Sequence, residues 1–518
     1  MTEKTSPAPR ADAIDTEAPD LPAGQTTGET TGSGADARAA QPRIAPRDQR
    51  VIWLLLAATF VVILNETIMS VAIPKLMDDL HIDALAAQWL STAFMLTMAV
   101  VIPITGFLLQ RFTTRQVFIA AMSLFSLGTL VAAVAPGFSI LVVARVIQAC
   151  GTAIMLPLLM TTLMTLVPPA LRGRTMGNVS IVISVAPAIG PTISGVILNF
   201  LAWRWIFLIV LPIALVMLLI GIKFVENVTE TRKSRVDVLS VILSAFGFGG
   251  LVYGLTLSGE SGPAAASNGP MLWGSLAVGV VALAAFITRQ LLLQRRDRAL
   301  LDLRTFRSPI FTAAIVLMAI TTASLFGVII VLPLYLQHVL HLDVLGTGLL
   351  LLPGGLVMGL AAPFVGRLYD RIGPRPLVIP GAILVSLVMW GLTMVTETTP
   401  VYLVLIAHIT MSLGLALMFT PLFTAGLGAV PPHLYSHGSA ILGTIQQVGG
   451  AAGTALLVAV LSAQTAALAA GGASLDAATA GGIRAAFFAA AIISVFGVVG
   501  SFFVSKPADA PSEAAFAH

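Results

Sequence analysis

Fourteen stretches of about twenty mostly apolar residues divide this chain of 518 residues, each long enough to cross roughly 30 Å of hydrocarbon as a helix. Lipid offers no partner for a bare N–H or C=O, so a chain with that many such runs has to satisfy its backbone within each run. The fold class expected is all-α integral membrane. Composition agrees, since 57% of the residues are hydrophobic and 10% charged, against about 25% charged in soluble domains. The runs start with Val51 to Pro74 and Ala87 to Leu109, include Ser139 to Met160 as the fourth and Asn178 to Leu198 as the fifth, and end with Ile483 to Val504.

The net charge of +4 sits in short clusters between the runs, which reads as topology and excludes a nucleic-acid footprint. Arg111 with Arg115, Arg172 with Arg174, Arg232 with Lys233 and Arg235, Arg295 with Arg296 and Arg298, and Arg367 with Arg371 and Arg375 fall in or beside alternate loops. The opposite loops hold Asp78, Asp79, Asp83, Glu260, Asp343, Glu397 and Asp476. The positive-inside rule then places both termini in the cytoplasm. Residues 1–50, polar and without an apolar core, read as a disordered cytoplasmic tail, and 506–518 as a second tail. The single cysteine, Cys150, excludes an intramolecular disulfide and a cysteine metal cluster, and reads as a packing residue.

The chain repeats itself. GFLLQRFTTR, Gly106 to Arg115, closes the second run, and GRLYDRIGPR, Gly366 to Arg375, closes the tenth. The fourth run carries Ala144, Arg145, Gly151, Ala153 and Met155, and the twelfth carries Ala407, His408, Gly414, Ala416 and Met418 at the same spacing. Runs one to six thus correspond to nine to fourteen. The expected organisation is a six-helix bundle over 51–225, two inserted helices over 226–300 and a second six-helix bundle over 301–505, with a binding site between the bundles.

These residues carry a resemblance. The chain looks like the fourteen-helix drug:proton antiporter branch of the major facilitator superfamily, over about Val51 to Val504. The family's loop after the second helix, roughly GxLaDrxGrr, is intact at Gly366, Asp370, Arg371, Gly373 and Arg375. The earlier copy keeps Gly106, Arg111 and Arg115 but has Gln110 in place of the acid and Thr113 in place of glycine. The loop acts as a latch at one membrane face, and loss of the acid is expected to weaken the first one. SVAPAIGPTISG, Ser184 to Gly195, is similar to the family's antiporter motif centred on Gly190 and Pro191, with Ser194 replacing a glycine. LNETI and QRFTTR fit a lincomycin-exporter-like subgroup.

Well inside the expected spans the ionisable side chains are Glu66, Arg145 and His408, besides Cys150 and tyrosines. A charge at mid-bilayer costs about 2.5 to 3.5 kcal/mol on insertion scales, so each is a functional candidate. Glu66 lies roughly 22 Å from the cytoplasmic start of its run and Arg145 roughly 9 Å below the outer boundary of its own, at the helical rise of about 1.5 Å per residue. The two depths nearly coincide. Helices one and four both line the cavity of the superfamily fold, so Glu66 is expected to pair with Arg145, directly or through Gln148 or water. The family's helix-one acid follows leucine immediately. Here Asn65 stands at that place and the acid is shifted to Glu66, about 100° round the helix.

What the resemblance implies is proton-coupled export of amphipathic drugs by alternating access, with Glu66, Arg145, Asn65 and His408 in proton coupling and Thr67, Gln148, Tyr335 and Gln337 lining the substrate cavity. The expected partners are a small-molecule drug, protons and the lipid bilayer, in a monomer of the plasma membrane, with no nucleic acid. A metabolite, lipid or siderophore exporter on the same fold is the alternative. No phosphate loop of the G-x-x-x-x-G-K-[ST] kind is present, so the work is expected from the proton motive force, with no cofactor. His433 and His437 lack the acidic or cysteine partners of a metal site, and no cluster suggests an enzyme.

Overall fold

The computed structural model describes residues 44–82, 84–228, 237–258 and 269–506. The greater part of the tail read over 1–50, residues 507–518, Arg232, Lys233, Arg235, Asp83 and Glu260 lie outside them. Among the described residues there is no strand, and 14 helices are long and apolar enough to cross a membrane. The first six are α1 (Pro46–Leu80), α2 (Ala84–Arg111), α3 (Thr114–Ala133), α4 (Phe138–Leu166), α5 (Arg172–Phe200) and α6 (Arg204–Phe224). Two more follow, α7 (Val238–Ser258) and α8 (Gly269–Leu293), and then α9 (Pro309–Leu334), α10 (Val344–Ile372), α11 (Arg375–Leu392), α12 (Val401–Gly428), α13 (Tyr435–Ala470) and α14 (Leu475–Ser501).

Helix ends follow local chemistry. Thr113 accepts from the Gln116 N–H while the Gln116 side chain accepts from the Thr113 N–H, a capping box that starts α3. Asp343 caps α10 through the Gly346 N–H at 3.0 Å. That helix ends on Gly373, whose φ of 78° is a left-handed conformation that favours glycine. Its counterpart Thr113 has φ −68°, so the first copy of the loop has no need of glycine there.

The internal repeat is a structural one. α4 packs against α2 and α3 as α12 packs against α10 and α11. Gly151 lies on the Ala121 carbonyl and Phe125 of α3, and Gly414 on the Gly381 carbonyl and Val385 of α11, so the matched glycines seat matched helices at close range. α7 and α8 pack on each other, and α7 lies against both α2 and α13, across the junction of the two bundles.

The bundles meet through α5 with α10 and through α2 and α4 with α13. Gly173 abuts Gly366, Gly177 abuts Ala362, Val185 abuts Gly359 and Ala188 abuts Gly355, a seam that follows α5 for several turns. Two hydroxyl pairs cross the interface, Thr161 with Ser439 and Ser180 with Thr420, both at 2.7 Å. The described ends of the chain lie on the same face as the loops: Arg47 pairs with Glu226, and the Arg375 Nε donates to the Val504 carbonyl at 2.9 Å.

One expectation needs correction. Several helices outrun the apolar stretches, because a charged residue at a helix end can extend its head to water while its stem stays in lipid. α8 continues to Leu293 and α14 begins at Leu475. Arg289 therefore belongs to a membrane helix too, and Arg484, which stands at the start of the run from Ile483, lies well inside α14.

Candidate functional site

Along α1 the residues Leu55, Thr59, Val62, Asn65, Met69, Ala72 and Leu76 are buried, three or four apart, as the inward stripe of a helix requires. Glu66 is half-buried and lies one turn from both Val62 and Met69, so it is carried on that stripe. Thr67, next in sequence, packs on Gly190 of α5. The motif glycine thus lets α1 and α5 approach at the depth of the carboxylate, close to where Ala188 meets Gly355.

Arg145 is 1% exposed and has four groups around it. Its guanidinium carbon stands 4.1 Å from the ring centroid of Phe94. Its Nε donates to the Leu90 carbonyl at 3.4 Å and its Nη1 to the Gln148 Oε1 at 3.0 Å. The Gln148 Nε2 in turn donates to the Thr129 Oγ1 at 2.8 Å. The fourth group is Glu66, the charged residue with which Arg145 interacts electrostatically. Among the described residues no ion pair within hydrogen-bonding range joins the two. The arginine is therefore positioned by neutral partners and an aromatic face, and its charge acts on the carboxylate across a gap.

Asn65 is 1% exposed, and neither its Oδ1 nor its Nδ2 has a hydrogen-bond partner among the described residues. Such a group is costly unless water or another polar group reaches it. Asn65 and Glu66 lie about 100° apart on α1, and Asn65 is the more deeply buried of the two. Gln148 is 0% exposed and works as the bridge that holds Arg145 to α3. Thr67 is half-buried, its Oγ1 donating to the Leu64 carbonyl at 3.0 Å.

In the second bundle His408 is half-buried, and its Nε2 donates to the Leu351 carbonyl of α10 at 3.1 Å. This mirrors Arg145 bonding the Leu90 carbonyl of α2, so the repeat aligns the two polar residues in space as well as in sequence. Tyr335 is buried and its hydroxyl donates to the Thr396 carbonyl at 2.7 Å. Gln337 is half-buried in a π-helical turn that follows α9.

The two loop motifs differ in strength. The Asp370 Oδ1 accepts from the Gly173 N–H and its Oδ2 from the Arg174 N–H, both at 2.8 Å. A carboxylate at the first turn of α5 thus receives two charge-assisted bonds from the positive end of the helix. Gln110 also reaches across, but its Nε2 donates one neutral bond to the His433 carbonyl at 3.0 Å. Gly106 allows α2 to lie against His437 of α13. Arg115 holds α6 through the Ile222 carbonyl at 2.5 Å. Arg111 and Arg371 are exposed at their helix ends. Pro191 lies within α5 beside Gly190.

Sequence reading missed a polar network at the inserted helices. Asp237 receives two bonds from Arg289, at 2.6 and 2.7 Å, and is bonded by Ser240. The Gln290 Nε2 donates to the Ser240 Oγ at 2.8 Å, and its Oε1 accepts from the Leu300 and Leu301 N–H groups. The signal available was Asp237 preceding one apolar run and the Arg289–Gln290 pair ending the next.

Two repeated six-helix bundles, latched at one face and holding a buried cation and a carboxylate at matched depth, define a membrane transporter rather than an enzyme. Residues 55–454 match the model of the Major Facilitator Superfamily, and the chain belongs to that family. It is 44% identical over 457 residues to an MFS-type transporter of Bacillus subtilis, covering 88% of this chain and 95% of that protein. It is 41% identical over 461 residues to a lincomycin resistance protein of Listeria monocytogenes, covering 88% and 96%. The solved structure of the human organic anion transporter MFSD10 superposes with a TM-score of 0.63 at 14% identity, covering 89% of this chain and all of that one. That last likeness speaks for the fold.

Proposed function

We propose that this transporter exports amphipathic antibiotics of the lincomycin kind across the plasma membrane in exchange for protons, with both chain ends in the cytoplasm. Kinship with a lincomycin resistance protein supports the substrate class. The observation that carries the proton coupling is the placement of Glu66 on the inward stripe of α1, within electrostatic reach of the buried Arg145 of α4. A carboxylate so placed holds a proton or a charge depending on which side has access to it, and its charge state alters what Arg145 faces.

In the cycle, Glu66 takes a proton from outside as drug leaves, and gives it up to the cytoplasm as the next drug binds. The membrane potential contributes about 2.3 kcal/mol per charge per 100 mV to that movement. The bundles rock about the site, and the latched face with Asp370 on α5 is the closed cytoplasmic gate of the outward-facing state. Asn65, with its free amide, fits a water-bridged link beside the carboxylate, and His408 fits the corresponding polar place in the other bundle. One carboxylate suits monovalent or neutral drugs better than divalent cations.

The test is Glu66→Gln in proteoliposomes with an imposed pH gradient and lincomycin as substrate. Loss of gradient-driven transport with downhill exchange retained is the expected result. Transport driven equally well by the gradient in the variant would remove Glu66 from the coupling.

A further inference from the structure

Arg484 is a membrane-helix cation that neither the transport site, the latches nor the Asp237–Arg289 network uses. It is exposed, and among the described residues it has neither an ion pair nor a hydrogen bond. It lies about 13 Å along α14 from the Leu475 end, at a rise of about 1.5 Å per residue. It lines a shallow, open groove of about 480 Å³, together with Thr393, Gln464, Leu468 and Phe488. Gly481 contributes no side chain to that wall and sits against Leu468, so the floor is formed where α13 and α14 come close.

Three marks set the depth of this cavity. Thr393 is the C-cap of α11, at the end opposite Arg375, which bonds the Val504 carbonyl by the chain end. Gln464 belongs to the last turns of α13, whose 36 residues extend over roughly 54 Å and so outrun a hydrocarbon core of about 30 Å. Trp390, 41% exposed, meets Phe488 edge to face at 5.7 Å between centroids, as aromatic side chains do at the membrane border. The cavity therefore opens sideways from the second bundle at headgroup level.

A guanidinium there presents five N–H donors in a planar fork. Acyl chains satisfy none of them, whereas a phosphodiester accepts two at once in matching geometry. Gln464 adds a neutral amide donor beside it, Phe488, one turn further along α14, forms an apolar wall toward the membrane interior, and Leu468, one turn outward of Gln464 on α13, closes the groove on its outer side. We propose that this groove binds one membrane phospholipid, with Arg484 clamping its phosphodiester, Gln464 bonding phosphate or glycerol oxygens, and Phe488 against the upper acyl chain. The occupant is a lipid rather than free phosphate because the polar and apolar walls are continuous. The site is independent of the proton coupling proposed above.

The experiment is native mass spectrometry of the full chain, delipidated in neutral detergent and titrated with phosphatidylglycerol, with a phosphate-free diglucosyl diacylglycerol, and with inorganic phosphate. One phosphatidylglycerol is expected to remain bound to the wild type at about tenfold lower concentration than to Arg484→Gln. The glycolipid should not distinguish the two proteins, and inorganic phosphate should not displace the lipid. Should Arg484→Gln not fold, Arg484→Lys is expected to bind with intermediate strength, since a lysine keeps the charge but loses the fork. Equal phosphatidylglycerol retention by wild type and Arg484→Gln, or by wild type and Arg484→Lys, would overturn the site. So would glycolipid held as tightly as phospholipid, or inorganic phosphate that competes with it.

Discussion

The carboxylate of Asp370, on α10, is tied to Gly173, on α5, by a 2.8 Å bond from the Gly173 N–H, and its second oxygen takes the N–H of the next residue at the same distance. Both bonds join one bundle to the other, so they exist only while this face is closed. Hydrogen bonds to a charged group contribute about 1.5–3 kcal/mol. Asp370→Asn presents one N–H₂ to a backbone N–H and keeps a single neutral bond. The expected outcome is a tenfold or greater rise in the open population of this face. Alkylation of Ser439→Cys in a Cys150→Ser background measures it, because Ser439 is 3% exposed and bonded to Thr161 across the closed seam. An unchanged alkylation rate in Asp370→Asn would show that the capping bonds do not hold the gate.

Arg145 is fixed by a planar group that bonds in two directions and stacks on a ring, and lysine cannot reproduce all three contacts. Arg145→Lys keeps the positive charge and loses the bridge to Gln148 or the face of Phe94. Gradient-driven transport is expected to fall by about tenfold or more, on the order of one charge-assisted bond, with the protein still folded. Gln148→Leu should lower transport in the same direction through loss of the same bridge. Initial rates in proteoliposomes, with circular dichroism as the folding control, check both variants.

Much of this site was legible because lipid makes charge conspicuous. Glu66 and Arg145 stood out against apolar runs, and simple helical rise put them at one depth. Their lack of a direct ion pair was not legible, since rise gives depth but not azimuth. The neutral partners Leu90, Phe94 and Thr129 come from two other helices whose rotation no single run reveals. The repeat foretold that Arg145 and His408 would correspond, and both bond a carbonyl of the matching neighbour helix. Gln110 shows the limit of a motif. Its departure from the acid reads as a lost latch, yet the amide spans the interface to the His433 carbonyl with its own donor. The Thr161–Ser439 and Ser180–Thr420 pairs were hidden because hydroxyl residues are common in membrane helices and only packing selects the pairs.

Asp237 predicts a pH dependence outside the transport site. The bonds from Arg289 hold its carboxyl below the usual 3.8, at about 2. A carboxyl depressed in the folded state stabilises the protein fully above its ordinary range, and that contribution is lost as pH falls through the folded value. The tie between α7 and α8 is therefore expected to be constant from pH 8 to about pH 4 and to weaken between there and pH 2. Asp237→Asn should lower the thermal midpoint of the purified protein by a few degrees at neutral pH. The difference from wild type should shrink toward pH 2. A constant difference over the whole range would mean that the pair is not what couples α7 to α8.

Gly190 makes the closest test of how α1 is seated. A Cβ at this position would run into the Thr67 hydroxyl, with the Thr67 Cβ at 3.0 Å behind it. The neighbour is a short β-branched side chain on a packed helix, so it has little room to turn away. Gly190→Ala is expected to push α1 from α5 at the depth of Glu66, with an overpacking cost of about 1–3 kcal/mol. Transport should fall and so should thermal stability. Thr67→Gly removes both atoms in the way, and the double variant should recover stability beyond the sum of the two single changes. Recovery of transport along with stability would tie the glycine's role to the position of α1. Strict additivity would show that the contact does not set that position, and that the loss in Gly190→Ala arises elsewhere along α5.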